Sequence, residues 1–201
     1  CNHVSNPDNL YWWHKRFVWP INLVYRLAYF VKRKRSLPAG GDNDQAEVFW
    51  GDAAKQYIKY VRNLTFSEIN TLKRDPEMPW FDPLKPYVNY WFSSSDGHNL
   101  ELFNKLLSPT NLDKLENEGG ACIVYTHFSS GFVDENGVLD PLFKSRIDDL
   151  VSRGGWFVPC GEILDYLLGQ KVISKVSYCY RLSRNLIWLI ERCKKALIYR
   201  M

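Results

Sequence analysis

The chain has 201 residues, of which 46% are hydrophobic, 15% aromatic and 24% charged, with a net charge of +4. That length and apolar share suffice for one sizeable core, and one domain is the expected count. Much of the small positive excess sits in Lys32-Arg33-Lys34-Arg35, so the broad basic surface needed for nucleic acid is missing and no nucleic-acid partner is expected.

The chain begins Cys-Asn-His-Val, with neither an initiator Met nor the apolar core of a signal peptide. It reads as cut from something longer. Residues 9–35, NLYWWHKRFVWPINLVYRLAYFVKRKR, mix aromatic and apolar residues with His14, Lys15, Arg16 and Arg26. Pro20 should break or kink a helix there. Two readings fit: a pair of helices packed on the domain with basic heads in water, or an interfacial amphipathic segment touching a membrane surface through residues 10–35. Residues 36–44, SLPAGGDND, are a loop by composition. Residues 1–44 therefore form a helical, aromatic and basic segment plus loop, and residues 45–201 form the main body.

In that body, AEVFW at 46–50 suits a short strand or a helix lead-in. Ala54, Tyr57, Ile58 and Val61 fall at helical spacing and predict a helix over 52–62. Thr65-Phe66-Ser67-Glu68 matches a capping box that would open another short helix. Four prolines between 76 and 86 make that stretch a loop with fixed turns. Residues 87–93, YVNYWFS, predict a strand, SSDGHN a turn, and residues 99–106 a short helix. Ser108-Pro109 and Gly119-Gly120 bracket a helix over 109–118. The apolar run at 121–126 predicts a strand buried on both faces. Asp140-Pro141 and Gly154-Gly155 bracket a further helix. WFVP, residues 156–159, predicts a strand, and GEILDYLLG a helix closed by Gly169. A final helix spans 174–198, with Leu182, Leu186, Leu189, Ile190 and Cys193 on one stripe.

Strands alternating with helices imply parallel strands and right-handed crossovers, hence an α/β barrel or an open sheet. Two parallel strands complete neither, so further strands are expected upstream of Cys1. No run reaches 18 uncharged apolar residues, so no transmembrane helix is expected. The five cysteines are odd in number and lack any CxxC spacing, which excludes a zinc knuckle and a disulfide framework. Free buried thiols fit best and lean toward a reducing compartment.

The chemistry centres on His127, placed where an apolar strand gives out into Ser129-Ser130-Gly131. At the C-terminal rim of an α/β barrel, an imidazole can give or take a proton near neutral pH. Asp96 and His98 follow the preceding strand and can face the same groove. Trp91 and Trp156 are candidates for stacking on sugar rings. Glu162 and Asp165, three apart, suit a solvated helix face better than an acid–base pair. No Gly-rich phosphate loop or GxSxG elbow occurs.

The block from Gly119 to Leu167 resembles the C-terminal end of the polysaccharide deacetylase superfamily, the nodulation-type chitooligosaccharide deacetylases and their relatives. Tyr125-Thr126-His127 occupies the family's last motif, with Tyr where Leu is usual, and the 155–167 stretch is similar to its closing strand and helix. The resemblance implies a partial or distorted (β/α) barrel. It also implies metal-assisted removal of acetyl groups from an acetylated polysaccharide or oligosaccharide. A divalent metal, commonly zinc, would be held by an Asp and two histidines, a carboxylate would act as base, and His127 would be the acid. The family's Asp-Asp-Gly motif has no counterpart here. His3, in an Asn-His-x-Ser setting, corresponds to the first of the two metal histidines, but Pro7 stands where the second belongs. The metal ligands are thus mostly absent, and the activity is expected to be incomplete in this chain. A catalytically degenerate barrel that binds glycan or associates with a membrane surface is the alternative.

Overall fold

The computed structural model describes residues 19–20, 23–24, 55–83, 85–86, 88–171 and 175–199. The expectations for His3, for most of residues 10–35, for AEVFW and for a boundary at 44 lie outside these residues. In chain order the elements are β1 (Tyr60–Phe66), α1 (Thr71–Arg74), β2 (Tyr90–Asp96), α2 (Leu100–Leu106), α3 (Pro109–Glu118), β3 (Val124–Tyr125), α4 (Pro141–Ser152), α5 (Cys160–Gly169) and α6 (Tyr178–Tyr199). The sheet runs β1-β2-β3. Strands β2 and β3 pair in parallel, with Ser95 opposite Val124 and Asp96 opposite Tyr125. Tyr60 meets Tyr90 while Thr65 meets Ser94, so β1 and β2 also run the same way. Among the described residues this sheet is open.

Helices with strong end signals form where expected. Pro109 opens α3, and Gly119 closes it in the left-handed conformation at φ 59°. Asp140 caps α4 by accepting from Phe143 N at 2.7 Å, with Pro141 in the first turn.

The strands depart from expectation. Residues 60–66 form β1 rather than the end of a helix, and Thr65 and Phe66 lie in that strand rather than in a capping box. The short helix that follows is instead capped by Asn70, which accepts from Lys73 N. Val61 to Phe66 are all buried, and enclosure on both faces outweighs a helical spacing that rested on four residues. Strand β2 starts and ends three residues later than the predicted 87–93. Its serines are buried, and each is hydrogen-bonded: Ser93 donates to Asp75 at 2.6 Å, Ser94 pairs with Thr65, and Ser95 donates to Glu68 O at 2.7 Å. A serine run that reads as a turn is tolerated in a strand because every hydroxyl finds a partner. Strand β3 is reduced to two half-buried residues, because Thr71 takes the place of a neighbouring strand beside 121–123. Its N–H donates to Ala121 O at 2.8 Å, and its hydroxyl accepts from Ile123 N at 2.9 Å. WFVP forms no strand, since no ladder partner faces it among the described residues, and Trp156 and Phe157 are exposed.

The chain divides into two compact units. The first comprises residues 1–64, 79–92 and 168–201. There Trp80 and Trp91 form an antiparallel bridge, and Arg181 on α6 binds buried Asp82 at 2.5 Å. The buried face of α6 carries Asn185 and Trp188, whereas Leu186, Ile190 and Cys193 of the predicted stripe are exposed. The helix turns toward the partner for Arg181 and the slot for an indole rather than toward its most aliphatic stripe.

The second unit comprises residues 65–78 and 93–167. Its core is Ile69, Phe103, Leu106, Leu107, Leu112 and Phe132, flanked by Phe143 and Ile147 of α4. Gly120 lies so close to Asn70 that an added Cβ would fall 2.2 Å from the amide. That approach lets Asn70 cap α1 and donate to Glu118 at 2.9 Å. The hydrogen bond from Lys73, then that from Asn70, holds the Glu118 carboxyl below its usual range. No described helix is long and apolar enough to cross a membrane.

Candidate functional site

Strands β2 and β3 end side by side, and their backbones stay joined beyond the sheet. Gly97 N donates to Tyr125 O at 2.9 Å, and His127 N donates to His98 O at 3.2 Å. Side chains two apart on an extended segment share a face, so Asp96 and His98 form one pair and Tyr125 and His127 another. His98 Nδ1 and Asp96 Oδ1 lie 2.8 Å apart, with the carboxylate side chain 1% exposed and the imidazole 37% exposed. An ionised carboxylate only accepts, so Nδ1 is the ring nitrogen that donates to Asp96. Tyr125 Oη and His127 Nε2 share a hydrogen bond, and their rings meet edge-on at 4.8 Å. His127 itself is exposed. Gly97 sits in a tight place: an added Cβ would press at 3.3 Å on Phe103 and Val124, which would have to yield slightly.

The segment after His127 is anchored by Phe132, which is fully buried against Phe103 at 5.3 Å and Phe143 at 5.0 Å. Ser130 N donates to His127 O at 2.9 Å, and Leu100 N to Ser130 O at 3.2 Å, tying the segment to α2. Asp134 Oδ1 closes the following turn by accepting from Asn136 N and Val138 N.

No protein-family model, no curated protein and no solved structure matches this chain.

Asp96, His98 and His127 are therefore brought together at the C-terminal end of two parallel strands. The tryptophans are not part of that cluster. Trp91 is buried in the first unit, packed on Trp80 at 6.3 Å with Lys85 Nζ 5.2 Å above its ring. An indole only 4% exposed is closed to a sugar, against the expectation that it stacks on one. Trp156 is 56% exposed and borders a cavity of about 500 Å³ with Leu112, Leu115, Phe157, Ile163 and Tyr166. That cavity opens beside Gly119–Cys122, where the chain leads into β3, and none of Asp96, His98, Tyr125 and His127 lines it. At its edge Arg153 binds Asp113, Asp149 and Glu116, which raises its already high pKa.

Among the described residues no three His, Cys, Asp or Glu side chains converge as metal ligands. Asp96 and His98 bind each other, and His3 lies outside the described residues, so the residues on view do not fit the expected zinc. Tyr125 is the participant that sequence reasoning missed. Its signal was the two-residue spacing to His127 within a strand.

Proposed function

We propose that this chain carries the C-terminal part of a deacetylase-type α/β barrel and that its strand-end cluster takes part in hydrolysing acetyl groups from a glycan. The observation that carries the reading is the Tyr125-Thr126-His127 segment leaving a parallel strand beside Asp96 and His98. Ligands of α/β sheets bind at those carboxyl ends. Exposed His127, held by Tyr125, hands a proton to the departing amine or alkoxide, which leaves poorly without one. His98 borders the same rim and contacts the sugar, whereas Asp96, expected to face the groove, is buried behind it and holds the imidazole.

The test is acetate release from N-acetylglucosamine oligomers by the chain and by His127→Ala. A positioned general acid is worth about 10²–10⁴-fold, and a loss of that size is expected. No acetate from the unaltered chain, or equal rates in both, would overturn the assignment.

A second, non-enzymatic reading concerns residues 10–35. Trp19, Leu23 and Val24 expose 67%, 46% and 48% of their surface, close in sequence to Lys32-Arg33-Lys34-Arg35. Aromatic and aliphatic groups beside a basic run suit the boundary of an anionic bilayer. Co-sedimentation with phosphatidylserine-containing vesicles tests it, and no binding at low salt would remove it.

A further inference from the structure

We propose that His98 is a catalytic general base and that Asp96 is its positioning residue. Resting on the hydrolytic reading above, this gives His98 a chemical role in place of a sugar contact. Three features of the geometry lead to it. The Asp96 carboxylate is buried at the last position of β2 and lies 2.8 Å from Nδ1, so the ring is held in one orientation with Nδ1 turned to the carboxylate. Nε2 meets no hydrogen-bond partner among the described residues, while the side chain stays 37% exposed. The backbone bond from His127 N to His98 O joins the two histidines on one strand-end rim. One face thus holds a proton acceptor backed by a carboxylate and, one strand over, a second pair able to return a proton.

The step balances without an added reactant. Water bonds through its oxygen to the acetyl carbonyl carbon as His98 Nε2 takes one of its protons. The carbonyl carbon then parts from the sugar nitrogen or oxygen, which receives a proton from the Tyr125–His127 pair. Acetate and the deacylated sugar leave, and the proton on His98 passes to solvent while one returns to the second pair. Asp96 offsets the positive charge carried by His98 between those events.

An activated acetyl ester isolates this base from the rest of the reaction, because nitrophenolate departs without a proton donor. The full chain is expected to hydrolyse p-nitrophenyl acetate, with kcat/KM falling at least about tenfold in both His98→Ala and His98→Asn. The second variant retains size and polarity, and circular dichroism verifies folding of each. In ¹⁵N spectra, His98 should carry its hydrogen on Nδ1, and Asp96→Asn should shift hydrogen toward Nε2 while lowering kcat more than it raises KM. Ester hydrolysis unchanged in both His98 variants, or a resting tautomer with the hydrogen on Nε2, would overturn the proposal. The glycan assay separates this from the reading beneath it. Acetate release lost in His127→Ala with ester rates untouched in the His98 variants removes the base alone. Ester rates that depend on His98, with no sugar deacetylated, keep the base and discard the glycan.

Discussion

At the scale of single residues, Cys122 shows how packing decides reactivity. Part of the residue lies open, but burial of its thiol pushes its pKa from 9.0 up to about 12, against hydrogen bonds with Ser95 and Thr71 that pull it down. The folded state therefore favours the neutral thiol. Its contribution to stability is intact below pH 9.0, the unfolded value, and is lost as pH rises from there toward about 12. A thiol-specific maleimide at pH 7.5 should modify the exposed Cys160, Cys179 and Cys193 while Cys122 reacts only on unfolding. Mass spectrometry showing Cys122 labelled as fast as the other three would contradict this. Residues of the candidate site were legible to different degrees. His127, Asp96 and His98 could be picked out because each stands where an apolar or alternating run stops. The pairing of Tyr125 with His127 could not, since it depends on both side chains facing the same way. Trp91 misled because a tryptophan near a strand end looks alike in sequence whether its ring is stacked on a ligand or on Trp80.

At the scale of elements, the segment from 126 to 139 depends on one anchor. Phe132 joins Phe103, Phe128 and Phe143 in a cluster of edge-on and tilted rings. Removing such a ring costs about 3–5 kcal/mol in lost burial and cavity formation. Phe132→Ala should lose stability of that order in urea unfolding, and acetate release should fall with it because His127 begins the anchored segment. A loss below about 1 kcal/mol would mean that the cluster does not hold the segment. Helices α3 and α4 were readable residue by residue, because Ser108-Pro109, Gly119, Asp140-Pro141 and Gly154 punctuate the chain through purely local chemistry. Strand β1 was not readable, since the burial of Arg62, Asn63 and Thr65 arises from contacts distant in sequence. The exposed Leu186 and Ile190 on α6 carry the same lesson: an apolar stripe predicts a buried face only when the surroundings offer room for it.

At the scale of the whole molecule, both compact units are assembled from separate stretches of chain, and the long strands β1 and β2 each contribute residues to both. The small net charge of +4 hides a local concentration at residues 32–35. Attraction between that run and anionic lipid is screened by salt, with a Debye length of about 10 Å at 0.1 M falling to about 3 Å at 1 M. Vesicle co-sedimentation should therefore weaken steeply across that range. It should also drop in a variant combining Lys32→Gln, Arg33→Gln, Lys34→Gln and Arg35→Gln. Binding indifferent to both salt and these substitutions would sink the electrostatic account. By itself the sequence determined the well-punctuated helices, the parallel α/β character of residues 87–167 and the position of His127 at a strand end, because caps, turns and period are local properties. Only the tertiary structure decided that 60–66 is a strand, that the serine run continues β2 to Asp96, and that His98 and His127 stand side by side on separate carboxylate and phenol partners. Those outcomes depend on which distant groups enclose or hydrogen-bond each residue, and neighbours in the chain do not specify them.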